Sequence, residues 1–86
     1  MKLKSELEKL LIYLNQSTDS VYAHDSIFKM KVFINETIKK IDNHNKIEIN
    51  KIKILIVPTG SLQEISIDNN WGQEFVIIAN EMEKII

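Results

Sequence analysis

The chain has no cysteine and no arginine, and it holds only one proline, two glycines and one tryptophan. Without cysteine there is no disulfide, no thiolate metal site and no thiol nucleophile. All eleven basic residues are lysine. The planar guanidinium fork that binds phosphate or carboxylate through two parallel hydrogen bonds is therefore missing. That weighs against base-reading DNA recognition and against an arginine clamp on a phosphate. Sixteen isoleucines and eight asparagines accompany the missing arginine, a skew that an AT-rich genome produces. A net charge of −1 gives no general attraction to nucleic acid or to an anionic bilayer. No window approaches the ~18 uninterrupted apolar residues of a membrane span. The first residues, Met1-Lys2-Leu3-Lys4-Ser5-Glu6-Leu7-Glu8, are broken by charge and carry no apolar signal core. A cytoplasmic protein is expected, with neither nucleic acid nor membrane as partner.

Chemistry-bearing constellations are equally scarce. His24 and His44 lie in polar segments without the spacing of a helical metal pair. Asp68-x-Asn70 opens like a calcium loop, but Gln73 stands where the invariant glycine belongs and Ala79 where the bidentate glutamate belongs. Thr59 and Ser61 flank Gly60 without forming a nucleophile elbow, and no Walker lysine follows. Lys46, Lys51 and Lys53 cluster modestly, interrupted by Glu48. No metal, no cofactor and no catalytic residue are expected. The remaining enzymatic reading is a convergence of Glu64, Asp68 and Glu74, which would need one buried member to separate their proton affinities.

What is present is a single domain, residues 1–86, large enough for one core and too small for two. Leu3, Leu7, Leu10, Leu11 and Leu14 share one helix face. Asp25 or Ser26 can cap a second helix whose stripe is Ile27, Met30, Ile34, Ile38 and Ile41, widened by Phe28, Val32 and Phe33. Trp71, Phe75, Ile78, Met82 and Ile85 define a last helix, with Asn70 and Gln73 as a capping box and Glu74 in the first turn.

Residues 50–68 satisfy two periods at once. Ile52, Ile54 and Ile56 alternate as in a strand, and so does Glu64-Ile65-Ser66-Ile67-Asp68, with Pro58-Thr59-Gly60 as the turn of a hairpin. In the helical reading Asn50 caps, Ile52, Leu55, Ile56 and Thr59 share a face, Gly60 terminates, and Ser61 with Glu64 caps a further short helix. Propensity alone does not separate the two.

Residues 58–72 concentrate the proline, both glycines and the tryptophan. With its flanks, the segment Leu55 to Phe75 resembles the signature of a small uncharacterised bacterial protein family, Phe-Ala-Pro-Thr-Gly-x-Leu-Gln-(Asp/Glu)-x-Ser-x-x-Asn-Gly-Trp-Gly-x-Glu-Phe. Ser20-Val21-Tyr22-Ala23 is also family-like, and the resemblance spans residues 20–82 with its specific part at 58–75. Asn70 departs from it, since the family more often has glycine there. The family is similar to small all-helical proteins encoded near bacterial toxins, among which immunity proteins bind and block a cognate toxin. The resemblance therefore implies an all-α chain and tips residues 50–68 towards helix.

The resulting expectation is a small bundle of four main helices near 2–16, 26–43, 50–57 and 71–85, with a short helical turn near 61–66. The alternative is α+β with a hairpin over 50–68. The expected function is non-catalytic protein binding, most concretely neutralisation of a toxin by occlusion. Tyr22, Leu62, Gln63, Glu64, Asp68, Asn69, Asn70, Trp71 and Glu74 would form the contact surface, with Glu64, Asp68 and Glu74 steering it to a basic target. The competing expectations are a homodimeric regulator paired through Ile12, Val32 and Ile77, and a small enzyme using the 58–74 carboxylates.

Overall fold

The leucine stripe of the N-terminal segment folds as α1 (Lys2–Asn15), which buries Leu3, Leu7, Leu10 and Leu14 along one side. A computed structural model describes residues 2–20, 23 and 26–86. After α1 come α2 (Ile27–Asp42), α3 (Ile49–Leu55), α4 (Ser61–Asp68) and α5 (Gly72–Ile85). The chain is all-helical among its described residues. Its radius of gyration is 12.0 Å, which is what a close-packed chain of this length should have.

α1 is the central element. It packs against α2 on one side and α5 on the other, while α4 packs on α5. The core joins the α1 leucines to Ile27, Met30 and Ile34 of α2 and to Phe75, Ile78, Ala79 and Met82 of α5. Ile52, Ile56, Leu62 and Ile65 complete it from the middle of the chain. The wide apolar face of α2 is only partly used: Phe33 is half-buried, whereas Phe28 is 74% exposed and Val32 40% exposed.

The hairpin alternative for 50–68 is not what forms. In a strand, Ile52, Ile54 and Ile56 would face the same way. Here Ile52 and Ile56 are buried one helical turn apart, while Ile54 is 69% exposed. A lone hairpin would also lack the third strand it needs for stability. The helical register instead delivers Ile52, Ile56, Leu62 and Ile65 to a core already built by the longer helices. α4 runs two residues beyond the short turn expected at 61–66, through Asp68.

Helix ends are where local expectation and structure part. Ser26 caps α2 as expected, its hydroxyl accepting from the Lys29 N–H at 3.2 Å; Asp25 lies outside the described residues. Asn50 does not cap α3, which begins one residue before it after Glu48. Gly60 is not a left-handed terminator: with φ −88° it precedes α4, and Ser61 is already helical. The Gly60 N–H closes a turn onto the Val57 carbonyl at 3.1 Å, with Pro58 inside that turn. A side chain at Gly60 would bring its Cβ to 3.2 Å from Val57 Cγ2, a tight contact that a small shift of the exposed Val57 side chain would relieve.

The Asn70–Gln73 capping box does not form either. α4 and α5 follow so closely that Asn70 ends the first helix and does not begin the second. Asn70 adopts φ 66°, its N–H bonds the Ile67 carbonyl at 3.2 Å and the Trp71 N–H bonds the Ser66 carbonyl at 2.8 Å. This is the paired-bond Schellman ending, with asparagine in the left-handed position that glycine usually takes. α2 ends the same way through His44 (φ 57°) and Asn45.

Candidate functional site

Of the residues of 58–72 expected to face a partner, two are turned inward, Gln63, Glu64 and Asn69 are half-buried, and Asp68 and Asn70 are exposed. Leu62 and Trp71 are buried, at 1% and 4% exposure. The indole of Trp71 stacks on Tyr13 with ring centres 5.0 Å apart and meets Phe75 edge-on at 6.4 Å. Its Nε1–H donates to the Ser17 hydroxyl at 2.8 Å, which in turn donates to the Tyr13 carbonyl at 2.7 Å. Trp71 is thus a core residue with its one polar atom satisfied, and cannot serve as an exposed anchor in this conformation. Its aromatic partner is Tyr13; Tyr22 lies outside the described residues.

Asp68 and Asn69 hold the 17–20 segment against the end of α4. The Asn69 amide oxygen accepts from the Thr18 N–H at 3.0 Å and from its hydroxyl at 3.3 Å. Its amide nitrogen donates to the carbonyls of Thr18 and Ile65, both at 2.9 Å. Asp68 accepts from the Ser20 hydroxyl. Asp19, the next link, accepts from the Ile27 N–H at 2.7 Å and so supports the start of α2. This clasp ties three distant parts of the chain together, and the unusual composition of the stretch serves it. Gln63 and Glu64 are half-buried on α4, Asn70 is exposed at the turn, and Glu74 is exposed in the first turn of α5.

Of the three carboxylates that an enzymatic reading would bring together, only Glu74 lines the groove where α1 and α5 meet. That groove, about 610 Å³, runs along the flank where α1 and α5 meet. Ile12 (58% exposed) and Ile77 (64% exposed) form its apolar rims, and Tyr13, Gln16 and Ile78 line its wall. Glu6, Glu74 and Glu81 supply three carboxylates to it and Lys9 one ammonium. Glu81 is already paired with Lys2 at 3.5 Å and with Lys84 at 3.3 Å. The Lys84 hydrogen bond and charge, with Lys2 beyond, hold the Glu81 carboxyl below the usual carboxylate range.

Glu6 stands apart. It is 4% exposed, among the α1 leucines. One carboxylate oxygen accepts from Lys9 Nζ at 2.9 Å; the other, Oε2, is buried and has no hydrogen-bond partner. Sequence reading passed over Glu6, although its place one turn from both Leu3 and Leu10 put a carboxylate at the edge of the buried stripe. A second groove, about 230 Å³, lies between α2 and α3 and carries the opposite charge, with Lys29 and Lys51 around Phe33 and Ile54.

Among the described residues no group of three His, Cys, Asp or Glu side chains is placed to hold a metal ion, and no helix is long and apolar enough to cross a membrane. Comparison of the chain with protein-family models, with curated proteins and with solved structures yields no match.

Proposed function

We propose that this chain is a non-catalytic protein-binding module, most concretely an immunity-type protein that neutralises a cognate bacterial toxin by covering it. The observation that carries the reading is the α1/α5 groove. It combines exposed isoleucines on both rims with an acidic lining, the complement of a basic target that has apolar residues beside its charge. Toxins that act on nucleic acid present such basic clefts. The resemblance of residues 58–75 to a toxin-associated family points the same way. The proposed contact surface is then the flank of α1 and α5, and of the residues expected from the sequence it keeps Glu74.

Homodimerisation is the second reading, because Ile12 and Ile77 line one groove. A two-fold pairing through that groove would bring two copies of the same acidic lining together, and like charges across an interface disfavour association. A hetero-partner of opposite charge fits the surface better.

The test is co-expression with the product of a toxin-like reading frame adjacent to the gene. Growth should be restored and the two chains should co-purify in stoichiometric amounts. Absence of both effects with a soluble, folded chain would overturn the proposal. Light scattering at micromolar concentration decides the dimer reading, which requires twice the chain mass.

A further inference from the structure

We infer that Glu6 is the anchor of the α1/α5 groove, and that its unpaired carboxylate oxygen receives a lysine or arginine side chain from a protein partner, between Ile12 and Ile77. The inference rests on the protein-binding reading above and specifies how that surface would recognise its target.

A buried carboxylate oxygen without a donor is unfavourable, and native folds seldom leave one. Glu6 Oε2 is in that position. The carboxylate cannot turn away to water, because its side chain is held at 5% exposure on the buried flank of α1. Its only cation among the described residues, Lys9, sits one turn along the same helix, engages the other oxygen, and has a side chain that is 56% exposed. Lys9 can swing outward into solvent while Glu6 cannot. The groove therefore has a buried anion in its wall with a mostly exposed cation on one of its oxygens, and Oε2, which has no exposed surface of its own, is reached when neighbouring side chains shift.

The other two carboxylates have no such unmet demand. Glu81 is satisfied by Lys2 and Lys84, and Glu74 is exposed to solvent. Glu74 adds negative charge at the entrance, whereas that of Glu81 is offset by its two lysines. Among the described residues the three carboxylates are not grouped as metal ligands. The rim isoleucines select for a cation borne on an apolar stem. Lysine and arginine side chains have that form, burying their methylenes while the charged head finds its partner.

Alkyl cations provide the probe. The full chain, labelled with nitrogen-15, is titrated with n-hexylguanidinium, with n-hexylammonium, and with n-hexanol as the uncharged control. Both cations should move the amide signals of Glu6, Lys9, Ile12 and Ile77 saturably, with a dissociation constant on the order of 1–10 mM. Hexanol should bind at least about fivefold more weakly, since it cannot offer a charged donor to a carboxylate. Glu6→Gln should erase the preference for the cations. Lys9→Ala leaves the buried Glu6 carboxylate without that cation, so its fold is first checked by circular dichroism; in the folded variant cation binding should tighten by about threefold or more through removal of the competing ammonium. Lys46→Ala removes the same charge from the α2–α3 connection and should leave binding unchanged; it separates a local anchor from bulk attraction. Equal binding of hexanol and the cations, as expected if Oε2 needs only a water, would overturn the anchor. So would a cation preference that survives Glu6→Gln, or equal effects of Lys9→Ala and Lys46→Ala. Growth protection by a wild-type chain that shows no cation preference would remove the anchor and leave the protein-binding reading standing. Cation preference in a chain that protects against no adjacent toxin would support the anchor and remove the immunity reading.

Discussion

Replacing Asn69 by alanine should open the clasp between the 17–20 segment and α4. The amide makes four hydrogen bonds, three to Thr18 and one to Ile65. Thr18 is exposed, so its freed groups can recover water, and each bond is worth about 0.5 kcal/mol, the low end of the usual range. The substitution should therefore destabilise the chain by about 2 kcal/mol, a sizeable part of the 5–15 kcal/mol expected of a small domain. The melting temperature should fall by roughly 8–15 °C. Urea unfolding followed by circular dichroism and by emission of the buried Trp71 would measure it, with the two transitions coinciding. Asn69→Asp sharpens the test. It keeps an acceptor for the Thr18 N–H but turns the donor into an oxygen facing two carbonyls. At neutral pH it should cost at least as much as alanine, and protonation in mild acid should recover part of the loss by restoring a donor. A change below about 0.5 kcal/mol for Asn69→Ala would refute the clasp as the reason for this residue.

Two further outcomes follow from the same geometry. Asn70 sits at φ 66°, so Asn70→Ala should lose about 1 kcal/mol in urea unfolding, whereas Asn70→Gly should be neutral or slightly stabilising; equal losses for both would contradict the left-handed turn. Glu48 and Glu81 are held below the ordinary carboxylate range, chiefly by hydrogen bonds from Lys51 and Lys84. Their contribution is complete above the unfolded carboxylate value, about pH 4–5, and is lost as pH falls through the depressed folded value. The melting temperature should drop in acid, and Glu81→Gln should flatten that acid limb at low salt. A melting temperature that does not fall between pH 5 and pH 3 would contradict these pairings.

The three long helices are legible in the sequence because each carries a leucine, isoleucine or aromatic stripe with a single period. The stripes of α1 and α5 reappear almost intact as buried residues. Residues 50–68 are not legible alone, since alternating isoleucines fit strand and helix equally, and only a core contributed by other elements decides which of Ile52 and Ile54 is buried. Three expected caps fail. Asn70 has the right chemistry but ends α4, because α5 follows at once, while Asn50 and Ser61 fall within the helices they were expected to cap. The clasp is harder still. Nothing near Asn69 in the chain indicates that its amide reaches Thr18, 51 residues away. The candidate site shifts for a related reason. A rare residue such as Trp71 suggests a special surface, yet a domain this small needs its largest side chain in the core. Glu6 looks like one more charge on an amphipathic helix until packing leaves one of its oxygens without a partner.

The most direct test of the account is growth protection by the chain carrying Ile77→Asp against that carrying Asn70→Gly, each co-expressed with the adjacent toxin. Ile77 is 64% exposed and Asn70 is also on the surface, so both variants should fold. Ile77→Asp should abolish protection and co-purification by placing a charge on the groove rim, while Asn70→Gly should protect as the wild type does. Full protection by a folded Ile77→Asp variant would contradict the assignment of the α1/α5 groove as the contact surface.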